Sequence, residues 1–279
     1  MKHPRLIKFL YAHPVLAVLL PYVPALAVCF GLYHFQILDS FFATILAVWL
    51  LFLLLLPVRS AYRSLLTYAR VKLERDCDAE EYLAIIGFML NRPLPYAKNT
   101  TLMTHYAVGL DAAGRTEDAV EWFNKILQKE YKLPTPVRFQ VHLARAFSVA
   151  HHKEAGKYLP PLIEKMEKLL PTLNLPPFYL IPFQAGLETV RDAARFHAGE
   201  LDGLRGRYVA RINDYARHPN ARANKINACL WLARVYEREG EVTEARAMYA
   251  YVAENGGTLG AVAEAKEALA RLSPTENEV

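Results

Sequence analysis

Cysteine is scarce: Cys29, Cys77 and Cys229 are the only three in 279 residues. So few exclude a disulfide-stapled scaffold, and their wide spacing does not fit a zinc site. The 13 glycines and 17 prolines follow no regular period, which excludes collagen-like and low-complexity classes. Strict apolar–polar alternation, the mark of half-buried strands, is missing after Asp78. No HExxH, no glycine-rich phosphate loop and no G-x-S-x-G occurs, so the common metalloprotease, nucleotide-binding and serine-hydrolase signatures are lacking. Charge is missing from two stretches near the start. No charged residue lies between Lys8 and Asp39, or between Asp39 and Arg59.

What is present is strongly apolar. The chain is 53% hydrophobic, too apolar for a disordered polymer. A helix crossing the ~30 Å hydrocarbon core needs roughly 20 apolar residues. Residues 15–37 and 40–58 both meet that length, and residues 43–58 are almost all Leu, Ile, Val, Phe and Trp. Pro21 and Pro24 in the first stretch are tolerated in membrane helices, with a kink. A cleaved signal peptide competes, with Lys2, Arg5 and Lys8 ahead of Ala25-Leu26-Ala27. The apolar run continues past that point to Leu38, which favours an uncleaved hairpin over residues 1–58.

The basic residues orient it. Lys2, Arg5 and Lys8 precede the first span, and Arg59, Arg63, Arg70, Lys72 and Arg75 follow the second. Between the spans stands only Asp39. Positive flanks stay cytoplasmic. The sequence therefore predicts an integral protein of the plasma or inner membrane with both termini in the cytoplasm. Arg59, Arg63, Arg70 and Lys72 lie at the membrane surface in this reading. Arg59, Arg63, Thr67, Arg70 and Glu74 form a polar helical stripe, opposite Ala61, Tyr62, Leu65, Leu66, Ala69 and Leu73. Such a stripe suits anionic headgroups, and it equally suits ordinary positive-inside flanking.

The net charge of +5 resolves along the chain. Residues 1–58 carry three basic and one acidic side chain, and residues 59–77 five and two. Residues 78–279 carry 25 of each. The basic balance thus belongs to the ends of the hairpin and does not point to nucleic acid.

From Asp78 onward apolar residues recur at helical spacing. Juxtamembrane helices and a linker fill residues 59–99, with one helix over 78–90 ending at Asn91-Arg92-Pro93-Leu94-Pro95. Two later segments share one skeleton. Tyr106-Ala107, Leu110, Gly114, Asp118-Ala119, Phe123 and Ile126 match Leu232-Ala233, Tyr236, Gly240, Glu244-Ala245, Tyr249 and Val252 at identical offsets. A short antiparallel helix pair needs small residues at its crossing and glycine at its bend. This pattern resembles the tetratricopeptide repeat, a 34-residue helix–turn–helix unit. Met103 stands where that family places Trp, and Tyr131 where its proline ends the unit.

The region between is less regular. Residues 135–166 form a second unit that lacks the bend glycine, with Pro160-Pro161 interrupting its second helix or starting a new one. Residues 182–217 read as a further pair divided near Gly199. A closing helix spans 260–272, and the tail 273–279 reads as disordered. The fold class is therefore all-α: a transmembrane hairpin, then a TPR-like α-solenoid of three to four helix pairs over residues 100–272.

Such solenoids present a concave groove. The resemblance implies that the first helix of each pair lines it. Carried over by register, the protein-binding candidates are Thr101, Thr104, Asp111, Gln140, Asn227, Arg234 and Glu237. The Lys/Asn clamp that some family members use for a C-terminal carboxylate is not reproduced. His151-His152-Lys153-Glu154 is the densest polar cluster and occupies an inter-helix turn. Arg191, Arg195, Arg205, Arg207 and Arg211 are interleaved with acidic residues and read as a salt-bridged face. No cofactor is implied and no enzyme activity is expected. The leading functional reading is a membrane-anchored adaptor for a protein or peptide partner. An accessory subunit of a membrane complex, bound through the hairpin, is the alternative. An enzyme with an unrecognised site is the third.

Overall fold

The computed structural model describes residues 60–91, 100–152 and 154–272, with the isolated helical positions Ala27, His34 and Ile45. The two apolar spans otherwise lie outside the described residues, as do Arg59, Lys153 and the tail. Among the described residues every regular element is helical, and no helix is long and apolar enough to cross a membrane. The chain divides into two compact units, Met1–Arg70 and Val71–Val279. Residues 60–74 are helical, with Ala61, Leu65 and Ala69 buried and Arg63, Thr67, Arg70 and Glu74 exposed. These are the predicted stripe's members from Arg63 onward. Lys72 is bound to Asp76 at 3.5 Å and Glu81 at 3.0 Å.

In the second unit ten α-helices are described: α1 Ala79–Leu90, α2 Thr100–Ala112, α3 Thr116–Leu127, α4 Thr135–Ala150, α5 Ala155–Leu169, α6 Pro177–Ala198, α7 Leu204–Ala216, α8 Arg222–Glu239, α9 Val242–Asn255 and α10 Gly260–Leu272. The helices α2 and α3, α4 and α5, and α8 and α9 pack as sequential hairpins, α6 lies on α5 and α4, and α7 on α8. The side chain of Asp78 caps α1 by accepting from the Glu81 amide at 3.0 Å.

The two matching segments have the same architecture. Ala107 and Ala119 are fully buried where α2 meets α3, as are Ala233 and Ala245 where α8 meets α9. Their bends fall at Gly114 and Gly240, with φ of 79° and 80°. In each, the following amide bonds back into the helix: Arg115 to the Leu110 carbonyl at 2.8 Å, Glu241 to that of Tyr236 at 2.9 Å. A left-handed residue is required there, and glycine takes it without strain. Phe123 and Tyr249 fill the space beside the crossings and are buried.

The prolines behave differently from the sequence expectation. Pro160 and Pro161 lie inside the continuous α5, and Pro182 lies inside α6. All three are exposed, so carbonyls that lose their helical partner face water, which lowers the cost of the missing amide. The helix after residue 182 begins earlier than expected, at Pro177, where a missing amide hydrogen is harmless.

The ends of the second unit meet. The amide of Thr258 donates to the Cys77 carbonyl at 3.0 Å, and the Ala79 amide donates to the Thr258 hydroxyl at 2.8 Å. Gly260, at the start of α10, lies on Gly114. Helix α10 therefore touches α2 as well as α8 and α9. The stack is closed on itself, where the repeat pattern alone implies an open groove.

Candidate functional site

Closure draws polar residues of several helices into one neighbourhood. Asp111, near the end of α2, accepts from the Thr116 hydroxyl at 3.3 Å and lies against the Ser148 hydroxyl of α4. Burial pushes its pKa up to about 6, and the two hydroxyls offset only part of that cost. One turn beyond Ser148, His151 caps the end of α4. Burial pushes His151 down to about 3, and the nearby Arg234 and His197 add to that shift. It is a neutral imidazole at physiological pH.

Arg234 of α8 holds the network together. Its guanidinium grips both oxygens of Glu264 on α10 at 2.6 Å, a bidentate pair. The same group donates to Nδ1 of His151 at 3.4 Å and lies 4.3 Å above the Trp231 ring. Trp231 is buried and central. Its ring meets those of His151, Phe196 and His197, and it stacks on Tyr208 with planes 4° apart. His197 reaches the Ala150 carbonyl at 2.9 Å. Glu237, one turn on from Arg234, accepts from the Tyr249 hydroxyl at 2.7 Å and from Arg271 at 2.6 Å.

Beside this network lies a cleft of about 470 Å³, lined by Gly114, Arg115, Thr116, Glu117, Asp118, His151 and His152. It sits where the α2–α3 bend faces the end of α4. Arg115 and Asp118 form a forked pair at 2.7 and 2.9 Å, and Glu117 is exposed beside them. Its chemistry is mixed charge with hydroxyl and imidazole. Among the described residues no group of three or more His, Cys, Asp or Glu side chains is arranged to hold a metal ion.

The predicted groove residues separate into two sets. Asp111, Arg234 and Glu237 are bound to partners within the fold, as above. Thr104 is buried and donates to the Thr100 carbonyl at 2.8 Å. Thr101, Gln140 and Asn227 are exposed. The sequence reading missed Trp231, Glu264, Thr116 and Ser148. Only the three-residue step from Trp231 to Arg234, which stacks two side chains on one helix face, was there to be read. His151, read as a turn residue, does cap a helix end, and it also faces the cleft.

The five arginines pair as their interleaved acids imply. Arg191 binds Glu167 and Glu188, Arg195 binds Glu200, and Arg205 binds Glu241. Arg207 and Arg211 both bind Asp192, which is fully buried. In this last cluster the carboxylate is in the core while Arg207 remains half exposed, so a buried anion between α6 and α7 is paired by arginines that reach it from the surface.

No family model, curated protein or solved structure matches this chain.

Proposed function

We propose that this protein is a membrane-anchored scaffold, whose TPR-like helical unit receives a protein or peptide partner at the cleft beside the α2–α3 bend. The observation that carries the reading is the equivalence of the two helix pairs. Matching residues in α2–α3 and α8–α9 take the same bend, the same small-residue crossing and the same aromatic filling. A chain built from repeated helix pairs is built to present surface. The apolar N-terminal segment, residues 1–58, supplies the anchor, with its positive flanks on the cytoplasmic side. The partner meets the rim formed by Arg115, Glu117, Asp118 and His152, since Asp111 is held by Thr116 and Ser148, and Arg234 by Glu264 and His151.

Site-specific photo-crosslinking tests this. A photoreactive residue placed at Glu117 in the full chain, in its native membrane, should capture a discrete protein. The same residue at Val209, exposed on α7, should not. Identical capture at both positions, or none at Glu117, would overturn the assignment of the cleft.

A further inference from the structure

We infer that the elbow joining α5 to α6 is a lipid-facing surface, seating the helical unit on the bilayer that holds the N-terminal segment. This rests on the membrane-anchored reading above.

The longest uncharged stretch of residues 78–279 is 169–187, nineteen residues between Lys168 and Glu188. Folding buries only part of it. Phe178, Tyr179 and Ile181 stay 63%, 55% and 62% exposed. Pro176, Pro177 and Pro182 are exposed beside them. The rings of Phe178 and Tyr179 lie 4.0 Å apart, so the side chains form one apolar face. Phe183 points the other way and meets Phe139 of α4 edge-on at 5.1 Å. The start of α6 is thus held by one face and offers the other. Single exposed apolar residues are ordinary, whereas a contiguous patch marks an interaction surface.

The surrounding charge fits lipid. Lys165 binds both oxygens of Glu130 at 2.9 Å. This sets the 3-10 turn Glu130–Lys132 beside the last turns of α5, from which the elbow leaves. On that turn stands Tyr131, 72% exposed, with the Lys132 ammonium 5.5 Å from its ring. Carboxylates near the elbow are neutralised: Glu130 by Lys165, Glu164 by Lys168, Glu167 by Arg191. Exposed aromatic rings with lysine at the edge are the chemistry of the membrane interface. There the rings sit at headgroup level and lysine stems reach toward phosphate.

Charge and tethering select lipid as the occupant. The exposed face carries aromatic and aliphatic side chains and prolines with no charge from 169 to 187, and the carboxylates nearest it are already paired, so it offers a protein partner no ion pair while it suits the apolar edge of a bilayer. A tethered chain meets its own bilayer as an intramolecular neighbour, and a small patch suffices against a surface already within reach.

Depth-dependent quenching tests it. The full chain with Cys29→Ser and Tyr179→Cys carries a fluorophore at 179, since Cys77 and Cys229 are buried. It is reconstituted into phosphatidylcholine vesicles with brominated acyl chains. The probe should lose most of its emission to the brominated lipid and be shielded from aqueous iodide. A probe at Val209→Cys should behave in the opposite way. Adding Phe178→Ser and Ile181→Ser should return the probe at 179 to the aqueous pattern. The inference is overturned if the 179 probe matches the 209 probe in chains that float with the vesicles. It is equally overturned if shielding at 179 grows with protein-to-lipid ratio, the mark of a second copy. A chain that does not float with vesicles at all refutes the anchor itself, and the inference with it.

Discussion

Gly260 rests directly on the backbone of Gly114: a Cβ at residue 260 would lie 2.3 Å from the Gly114 Cα. This contact closes the helical unit, because it joins the start of α10 to the first repeat-like bend. Backbone cannot swing aside as a flexible side-chain end does, so added volume must part the two segments. Gly260→Ala should therefore destabilise the unit by about 1–3 kcal/mol, the usual cost of overpacking. Gly206 provides the contrast, since its Cβ would meet nothing on the exposed side of α7. Gly206→Ala should stabilise by up to ~1 kcal/mol through helix propensity alone. Thermal unfolding of the two variants checks the opposite signs. Faster hydrogen exchange at Ala79 and Thr258 in Gly260→Ala would place the damage at the closure.

Asp111 and His151 give the unit two opposed pH dependences. The carboxyl of Asp111 is raised from 3.8 to about 6 on folding. Between those values the folded state holds the extra proton, so this contribution is full below pH 4 and is lost as pH rises through 6. His151 falls from 6.5 to about 3. Its contribution is full above pH 6.5 and is lost as pH falls toward 3. Asp111→Asn removes the first slope and leaves the second. The variant should gain stability relative to the parent as pH rises from 4 to 7, measured as unfolding midpoints across that range. A constant difference would show that Asp111 is not buried as described.

The helices were legible where periodicity and glycine agreed. The matched offsets around Ala107 and Ala233 carry both the helix pairs and their bends, and the closing helix falls at the predicted boundaries, 260–272. Prolines were misleading at 160 and 161, because a helix keeps its course when the interrupted carbonyls face water. Closure was not legible. Gly114 and Gly260 are 146 positions apart in the chain, and a pattern with local period carries no information about so distant a contact. The cleft shared that fate: His151 stood out as a turn histidine, while its neighbours Trp231 and Arg234 come from a helix some 80 residues later.

Arg234 links three helices, which makes its removal informative. Its side chain is mostly buried while that of Glu264 is partly exposed, so solvent screens the pair and moderates the cost. Arg234→Ala should destabilise by about 1–3 kcal/mol, and Glu264→Gln by a similar amount, because it leaves the mostly buried guanidinium without its carboxylate. The double variant should show coupling of about 0.5–3 kcal/mol. The emission of Trp231 should shift as well, since the guanidinium lies 4.3 Å from its ring. Lys at 234 should not restore either property, because an ammonium lacks the fork that meets both carboxylate oxygens.

Topology is best tested at the tail. Cys77 and Cys229 are buried, and burial raises both thiols, Cys229 to about 11. Neither supplies much thiolate, the reactive form, so native cysteines should resist a maleimide on whichever side of the membrane they lie. Resistance at those positions therefore reports folding and not sidedness. Val279→Cys, in a Cys29→Ser background, puts a thiol at the chain end. With the positive flanks inside, that thiol should remain unlabelled by an impermeant maleimide in intact cells and react fully after permeabilisation. Labelling in intact cells would place the helical unit outside and reverse the proposed orientation. Denaturation after labelling supplies the internal control: Cys77 and Cys229 should then react in every sample, since only the fold protects them.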